Sequence, residues 1–407
     1  MEQVKVGIIG LGTVGSAVVR NLAGVPGVRV KKGCDIRRVR VPCKLTRNPY
    51  ELIDDPEIDV VVEAIGGINP AKKYVLAALC AGKHVVTSNK ELIALHMEEL
   101  LAAARKSGAR LLFEGAVGGG IPILNTLRDE LSANRIQEVY GIVNGTTNYI
   151  LSKMTAEGRE FSEVLKEAKQ LGYAEANPKA DIEGYDASYK TAILASVAFG
   201  AKVKGTDVYR EGIERVTAED IDYAYENGYV IKLLAVARRL GGGLDVRVHP
   251  ALVPFSHPLA NVSENFNAIY VMGRPVGELM FYGPGAGGDP TASAVINDIL
   301  AVSNYELRIT NYELRKYPIR NISQIESRYY IRLQAPDRHG VLAGISRAFA
   351  DKKVSIAAVT QKETVGKTAT IVILLHQTSE KNLNAALKVI RKLPVVRRVC
   401  NVIRIVS

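Results

Sequence analysis

The first 115 residues alternate short β-branched runs with longer stretches of helical apolar spacing. Residues 4–9, 60–65, 84–87 and 110–114 predict strands, each short and bounded by polar or glycine positions. Between them, Asn69-Pro70 opens a helix to about residue 82, and Asn89 opens another to about residue 107. Alternation at this spacing predicts βαβ units on a parallel sheet. Beyond residue 135 the pattern changes. A strand at 136–143 precedes helical spacing at 146–157, 162–171 and 186–199. Two hairpins follow, turning at Gly241-Gly242-Gly243 and at Gly273-Arg274-Pro275. Residues 304–315 repeat Asn-Tyr-Glu-Leu-Arg twice, and with 316–327 they read as a linker or short helix. The last 80 residues read βαββαβ, the ferredoxin-like order.

The expected fold class is therefore α/β with appended α+β units. A Rossmann-type dinucleotide-binding domain spans 1–134 and is completed by 285–303. An α+β substrate and dimerisation domain spans 135–284, a linker 304–327, and a ferredoxin-like unit 328–407.

Charge sharpens this division. The 407-residue chain carries a formal net charge of +11, which alone would suggest nucleic acid or a membrane surface. Residues 328–407 hold 15 of the 53 Lys+Arg and 4 of the 42 Asp+Glu, leaving 38 of each in the rest. The excess belongs to the last unit, where some of it is expected to face acidic surface on the catalytic part and dock by salt-sensitive charge. Helix-turn-helix, RRM and aromatic stacking patterns are not apparent, so nucleic acid is not expected as a partner. No apolar run reaches the ~18 residues of a membrane span. Four cysteines without metal or disulfide spacing, and an N-terminus leading straight into a strand, fit a reducing, cytoplasmic location.

Candidate chemistry begins at Gly10-Leu-Gly12-Thr13-Val14-Gly15, between the first strand and the first helix. This spacing turns the chain tightly and brings backbone N–H groups to a pyrophosphate at a helix N-terminus. Asp35, 20 residues on, suits the ribose hydroxyls of NAD. Arg37, Arg38 and Arg40 suit the 2′-phosphate of NADP or form a solvated basic loop, and the choice of cofactor stays open. Asp186 and Lys190 share a helix face at i,i+4. Alone they would be a surface ion pair, but the apolar run 191–199 behind them predicts a covered site. Several carboxylates beside a lysine suit a zwitterionic ligand. Lys90 lies past the carboxyl end of a strand, where α/β sheets bind ligands, or else in a solvated first helical turn. Glu114 to Pro122 is a Gly-rich turn that could line a cofactor, expose carbonyls to a monovalent cation, or simply connect strand to helix.

These residues resemble the homoserine dehydrogenase family over nearly the whole chain. The resemblance rests on residues 10–15, Glu63-Ala-Ile-Gly-Gly67, Val86-Thr-Ser-Asn-Lys90, the 114–123 segment and Gly141-Ile-Val-Asn-Gly-Thr-Thr-Asn-Tyr149. It continues through Gly172-Tyr-Ala-Glu175, Asn177 to Lys190, and Phe281-Tyr-Gly-Pro-Gly-Ala-Gly287. Asp337-Arg338-His339-Gly340-Val341-Leu342, in its βαββαβ frame, resembles an ACT domain, an amino-acid-sensing module.

The resemblance implies that Lys190 donates and accepts the proton, and that Lys90 is a second catalytic or positioning lysine. It implies substrate binding by Glu175 and Asp186, with Asp181 and Tyr173 close by. Gly172 and Gly287 would touch NAD or NADP, and backbone carbonyls of Glu114, Val117, Gly119 and Ile121 would hold a sodium-like cation. The implied reaction interconverts L-aspartate 4-semialdehyde and L-homoserine. The implied effector, threonine foremost, sits by Asp337, His339, Gly340, Val341 and Leu342 in a homo-oligomer, dimer or tetramer. Gly115-Ala116 departs from the Ala-Ser of many relatives. Two rivals remain: a dehydrogenase of another small amino acid, such as aspartate dehydrogenase, and a redox-sensing or nucleic-acid-binding regulator.

Overall fold

The computed structural model describes residues 3–303, 314–362 and 368–406. The tandem repeat lies outside these residues except for Leu314 and Arg315.

Six strands form an all-parallel sheet: β1 (Val4–Ile9), β2 (Val28–Cys34), β3 (Lys44–Thr46), β4 (Val60–Glu63), β5 (His84–Thr87) and β6 (Leu111–Leu112), in the order β3-β2-β1-β4-β5-β6. This is a Rossmann-type sheet, buried on both faces as parallel sheets are. Val6, Ile8, Val60 and Val62 pack against the helices Thr13–Leu22 and Gly288–Ser303, while Ile9, Val61 and Val85 face the opposite core. The strand expected at 110–114 shrinks to Leu111–Leu112. The reason lies at Glu114, whose N–H leaves the sheet to reach Asp298 at 2.8 Å.

The second sheet has ten strands among the described residues. They are β7 (Arg135–Ile142), β8 (Tyr209–Arg210), β9 (Tyr229–Leu240), β10 (Gly243–Pro254), β11 (Phe266–Arg274), β12 (Gly277–Pro284), β13 (Glu326–Pro336), β14 (Ile356–Gln361), β15 (Thr368–Ser379) and β16 (Arg398–Ile405). Their order is β12-β11-β7-β9-β10-β16-β13-β15-β14, with β8 also on β10. Helix Tyr185–Phe199 is apolar nearly all round, so it is buried between helix Lys90–Ser107 and strands β9 and β10.

The C-terminal βαββαβ unit has its own core around Tyr329, Ile331, Ile345, Phe349 and Leu387. Its sheet nevertheless continues the catalytic one, because β16 pairs in parallel with β10 at Ala251↔Arg404 and Leu252↔Ile405. Basic residues of this unit do meet acidic residues of the body. Arg332 Nε donates to Asp220 Oδ1 at 2.6 Å, Arg404 Nη1 to Glu211 at 2.9 Å, and Lys362 Nζ to Glu226 at 2.5 Å. Arg332–Asp220 is buried and would be screened little by salt, whereas in the second pair Arg404 is buried but Glu211 is 35% exposed. Residues after 313 are stitched to the body rather than hanging free, with bridges Ala201↔Arg315 and Leu244↔Ile319.

Candidate active site

Each glycine of the 10–15 turn has a different physical reason. Gly10 is left-handed (φ +94°), and a Cβ there would lie 2.6 Å from the Ala64 carbonyl oxygen; one at Gly15 would lie 1.9 Å from that of Gly10. A Cβ at Gly12 would meet only Arg37 Nη2, at 3.5 Å. Nothing inside the protein needs Gly12 to be bare, so its open flank is room for a ligand. That flank lines a cavity of about 580 Å³ with Thr13, Ser16, Arg20, Arg37 and Arg38, closed by Gly288 and Asp289 at the start of helix Gly288–Ser303. Gly287, with φ +125°, turns the chain into that helix.

Asp35 closes the second strand, but both its oxygens are engaged within the protein. Oδ2 accepts from Leu11 N–H (2.8 Å) and Arg37 Nη2 (2.9 Å), and Oδ1 from Arg37 N–H (2.8 Å) and Nε (3.0 Å). The Arg37 side-chain hydrogen bonds overcome partial burial and hold the Asp35 carboxyl well below its usual range. The carboxylate thus fixes a guanidinium, 63% exposed, at the cavity mouth.

Past the carboxyl end of β5, Asn89 caps helix Lys90–Ser107 by accepting Leu92 N–H, and its Nδ2 donates to the Gly67 carbonyl at 2.6 Å. Buried Glu63 accepts from Thr87 Oγ1 (2.6 Å) and from Ile65 N–H (2.7 Å). This network sets the first turn of the helix and directs Lys90 away from the sheet. Lys90 Nζ lies 2.5 Å from Asp186 Oδ1, and its side chain is 44% exposed. From the other side, buried Lys190 Nζ donates to Asp186 Oδ2 and to the Val143 carbonyl, both at 2.7 Å.

One buried carboxylate thus sits between two lysines. Burial opposes the charge on Asp186, but Lys190 and Lys90 together hold its carboxyl well below the ordinary range. Burial, and then repulsion from Lys90, push Lys190 below the usual lysine value against the pull of Asp186. Burial also works against Lys90, but Asp186, Asp181 and Glu175 raise it above the usual value. The two ammonium groups are therefore driven apart in pKa, with the lowered one at the buried end. Lys190 is thus the lysine that releases its proton more readily.

Asn144 is the residue that sequence reasoning left out. Its Oδ1 caps helix Gly145–Glu157 by accepting Thr147 N–H, while its Nδ2 donates to Asp181 (2.7 Å) and Asp186 (2.9 Å). The signal was present in the capping pattern at 144–148, but a cap does not announce what its second arm touches. Asp181 is raised by burial, with Asp186 adding to the effect. Glu175 is exposed. Tyr173, 42% exposed, lies 4.6 Å from the Tyr149 ring between centroids, and Gly172 is left-handed in the same loop.

The 114–122 turn packs against Ser88, helix Gly288–Ser303 and Gly285. Glu114 is buried, and its carboxylate accepts N–H groups of Ile123, Leu124 and Asn125. The carbonyls of Val117, Gly119 and Ile121 receive no hydrogen bond from any described residue, although all three residues are buried. Carbonyls without a protein donor in a buried turn suit a monovalent cation, while the Glu114 carbonyl accepts Val117 N–H at 3.4 Å. In the C-terminal unit, Asp337 to Gly340 form the exposed turn from β13 into helix Val341–Ala350, with Gly340 left-handed, Val341 buried in the unit's core and Leu342 41% exposed.

A glycine-rich dinucleotide cradle on an all-parallel sheet, with a carboxylate held between two lysines past the carboxyl end of β5, gives the class as a nicotinamide-dependent dehydrogenase. Comparison with known proteins specifies it further. Family models match homoserine dehydrogenase at residues 122–300, the homoserine dehydrogenase NAD-binding domain at 10–114, and the ACT domain at 329–395. Homoserine dehydrogenase of Bacillus subtilis is 43% identical over 428 residues, covering 100% of this chain and 99% of its own. The crystal structure of a homoserine dehydrogenase from Thiobacillus denitrificans superposes with a TM-score of 0.94 at 43% identity, over 100% of this chain and 99% of that one. A hyperthermophilic archaeal homoserine dehydrogenase in complex with NADPH matches 75% of this chain and 100% of its own, with a TM-score of 0.64 at 30% identity. The chain belongs to the homoserine dehydrogenase family, NAD(P)-dependent oxidoreductases, and carries an ACT domain.

Proposed function

We propose that the chain interconverts L-aspartate 4-semialdehyde and L-homoserine, with Lys190 as the proton donor in reduction and the acceptor in oxidation. The observation that carries this reading is the Lys90–Asp186–Lys190 group, buried at Asp186 and Lys190 and open at Lys90, past the carboxyl end of β5. A bound nicotinamide supplies or takes the hydride. The Lys190 ammonium stabilises the oxygen as negative charge develops and then gives it a proton; in reverse, the neutral amine removes the hydroxyl proton. Lys90 and Asp186 position Lys190 and tune it. Because Asp186 is spent on two lysines and Asn144, the substrate's α-ammonium would fall to Glu175 and to Asp181, whose Oδ2 is not taken by Asn144, with Tyr173 in the same loop as Glu175.

For the cofactor we propose NADP(H) rather than NAD(H). Asp35 is occupied by Arg37, which leaves that guanidinium, with Arg38, to meet a 2′-phosphate; the NADPH complex of the archaeal relative supports this. Gly10, Gly12, Thr13, Val14, Gly15, Gly172 and Gly287 would lie along the dinucleotide. The carbonyls of Glu114, Val117, Gly119 and Ile121 would hold a sodium-like cation that fixes the turn beside the substrate. The ACT unit is read as a sensor of an amino acid such as threonine at Asp337, His339, Gly340, Val341 and Leu342, in a cytoplasmic homo-oligomer. The open edge strands β12 and β14, which expose Tyr282 and Val359, support association.

One assay tests the core of this reading: NADPH and NADH oxidation with aspartate semialdehyde, with and without L-threonine. Turnover that prefers NADPH and falls with threonine is expected. No semialdehyde-dependent oxidation overturns the reaction, and threonine without effect overturns that effector.

A further inference from the structure

Residues 143–145 lead from β7 into helix Gly145–Glu157, and each of the three is tied to a different partner. The Val143 carbonyl accepts Lys190 Nζ at 2.7 Å. Asn144, which is buried, reaches Asp181 and Asp186. Gly145 admits no side chain, because a Cβ would lie 2.7 Å from the Asn265 carbonyl oxygen. One turn on, buried Asn148 donates to the carbonyls of Val262 (3.3 Å) and Phe266 (3.1 Å). The start of this helix is therefore clamped to the 262–266 segment.

The clamp leaves the Asn144 amide one orientation. Its Oδ1 accepts Thr147 N–H and the Thr147 hydroxyl, both at 2.9 Å, and a backbone N–H can face only the oxygen end of an amide. The nitrogen end must then face the carboxylates. Nδ2 carries two hydrogens and donates to Asp181 Oδ1 (2.7 Å) and to Asp186 Oδ2 (2.9 Å). Two carboxyls that share one donor atom would otherwise compete for a proton, since each negative charge opposes the other.

Asp186 has cations to hold it ionised, Lys190 on Oδ2 and Lys90 on Oδ1. Asp181 has less. It lies in the short helix Lys179–Ile182, packed on helices Gly145–Glu157 and Tyr185–Phe199. Burial raises its carboxyl, and the bond from Asn144 is the strongest influence against that rise. Asp186 raises it further, while Thr146 and Lys190 lower it. Lys90 is the remaining charge near it. Of these groups, Asn144 is the one hydrogen-bonded to both carboxylates.

We propose that Asn144 is a positioning residue for the reaction: by bridging the two aspartates it keeps Asp181 ionised and fixed for the substrate's α-ammonium while Asp186 stays between the lysines. This role rests on the proposed reaction and deepens it, because Asn144 acts through Asp181 rather than on the substrate.

The test follows semialdehyde reduction by NADPH from about pH 5 to about pH 8. Reduction needs the Lys190 ammonium, so its acid limb is set by carboxylates rather than by that lysine. Asn144→Ser keeps an oxygen for Thr147 N–H, and so the cap, but lacks the bridging nitrogen. Asn144→Asp also keeps the cap and replaces the donor by a like charge, so it carries the test if the serine variant does not fold. In either variant the acid limb of kcat/KM should move up by about one pH unit, a loss that approaches about tenfold at the acid end and fades at higher pH. The loss should fall on KM, with kcat and NADPH affinity within about threefold. In an Asp181→Asn background, either substitution should change kcat/KM by less than about twofold at every pH, because the group through which Asn144 acts is gone. A loss of the same factor at every pH, or a limb that does not move, overturns the role and leaves Asn144 a helix cap. A shift that persists without Asp181 overturns it as well. A wild type with no semialdehyde-dependent oxidation of NADPH overturns the reaction and this role together, a result distinct from an active wild type whose limb stays in place in the variants.

Discussion

Replacing Lys190 by alanine removes the buried ammonium from a three-charge group whose other lysine, Lys90, is 44% exposed. The carboxylate is not stranded, because Asp186 keeps Lys90 at 2.5 Å and Asn144 at 2.9 Å. The structural cost is then mainly the unpaired Val143 carbonyl, about 1–3 kcal/mol if no water replaces the lost donor, and the fold should survive. The catalytic cost is larger. Loss of a positioned proton donor removes about 10²–10⁴ in rate, or roughly 3–5 kcal/mol of transition-state stabilisation. Lys190 does not line the Gly12 cavity, so NADPH affinity measured by fluorescence should change by less than about twofold, roughly 0.4 kcal/mol. Turnover is followed as semialdehyde-dependent NADPH oxidation. A fall in kcat of less than about tenfold, or an equal loss of NADPH affinity, refutes the assignment.

Asp186→Asn probes the same group by pH. Lys190 already sits below the ordinary lysine value because of burial and Lys90, and Asp186 is what raises it. With that charge gone, Lys190 falls further, so the rise of homoserine oxidation with pH, which needs the neutral amine, should move to lower pH. A limb that stays or moves up counts against the role. Arg37→Ala should weaken NADPH by roughly 10–100-fold, the worth of one charge-assisted contact of 1.5–3 kcal/mol, with NADH little changed; equal losses would remove the 2′-phosphate role. Gly12→Val should abolish cofactor binding with stability within about 0.5 kcal/mol, because its flank meets nothing inside the protein; a clear loss of stability would show that the glycine is structural. Arg332→Met leaves buried Asp220 without its cation and should cost about 3–5 kcal/mol in chemical unfolding, whereas a cost below about 1 kcal/mol would mean the pair does not hold the domains together. Burial raises the Asp220 carboxyl, but the bonds from Arg332 and Asn401 hold it below its ordinary value. The stability this pair adds is therefore present above about pH 4 and lost as the pH falls through the lower native value.

Much of the fold was legible because it depends on local pattern. The period-2 and period-3.6 runs placed the first strand at Val4–Ile9, the hairpin at 241–243 and the C-terminal βαββαβ order without knowledge of any contact. Asn89 announced itself as a cap, and the i,i+4 spacing put Asp186 and Lys190 on one face. The Gly10–Gly15 turn declared its purpose because backbone geometry limits what glycine at that spacing does. Residue 114 misled the strand assignment, because its backbone partner, Asp298, is 184 residues away.

What the sequence could not decide are quantities that depend on which distant groups meet and how much water is left between them. Along the chain Lys90 reads equally as solvated or catalytic, and only the fold sets it 2.5 Å from Asp186, 96 residues on. Asp35 reads as a ribose ligand by spacing, but its environment gives both oxygens to Arg37 and Leu11. The excess positive charge belongs to the last unit by simple counting. Only the tertiary structure shows Arg332 and Arg404 buried against Asp220 and Glu211, where their charges join the ACT sheet to the catalytic one. Pattern along the chain determines elements; desolvation and long-range pairing, which exist only once the chain is folded, determine what their side chains do.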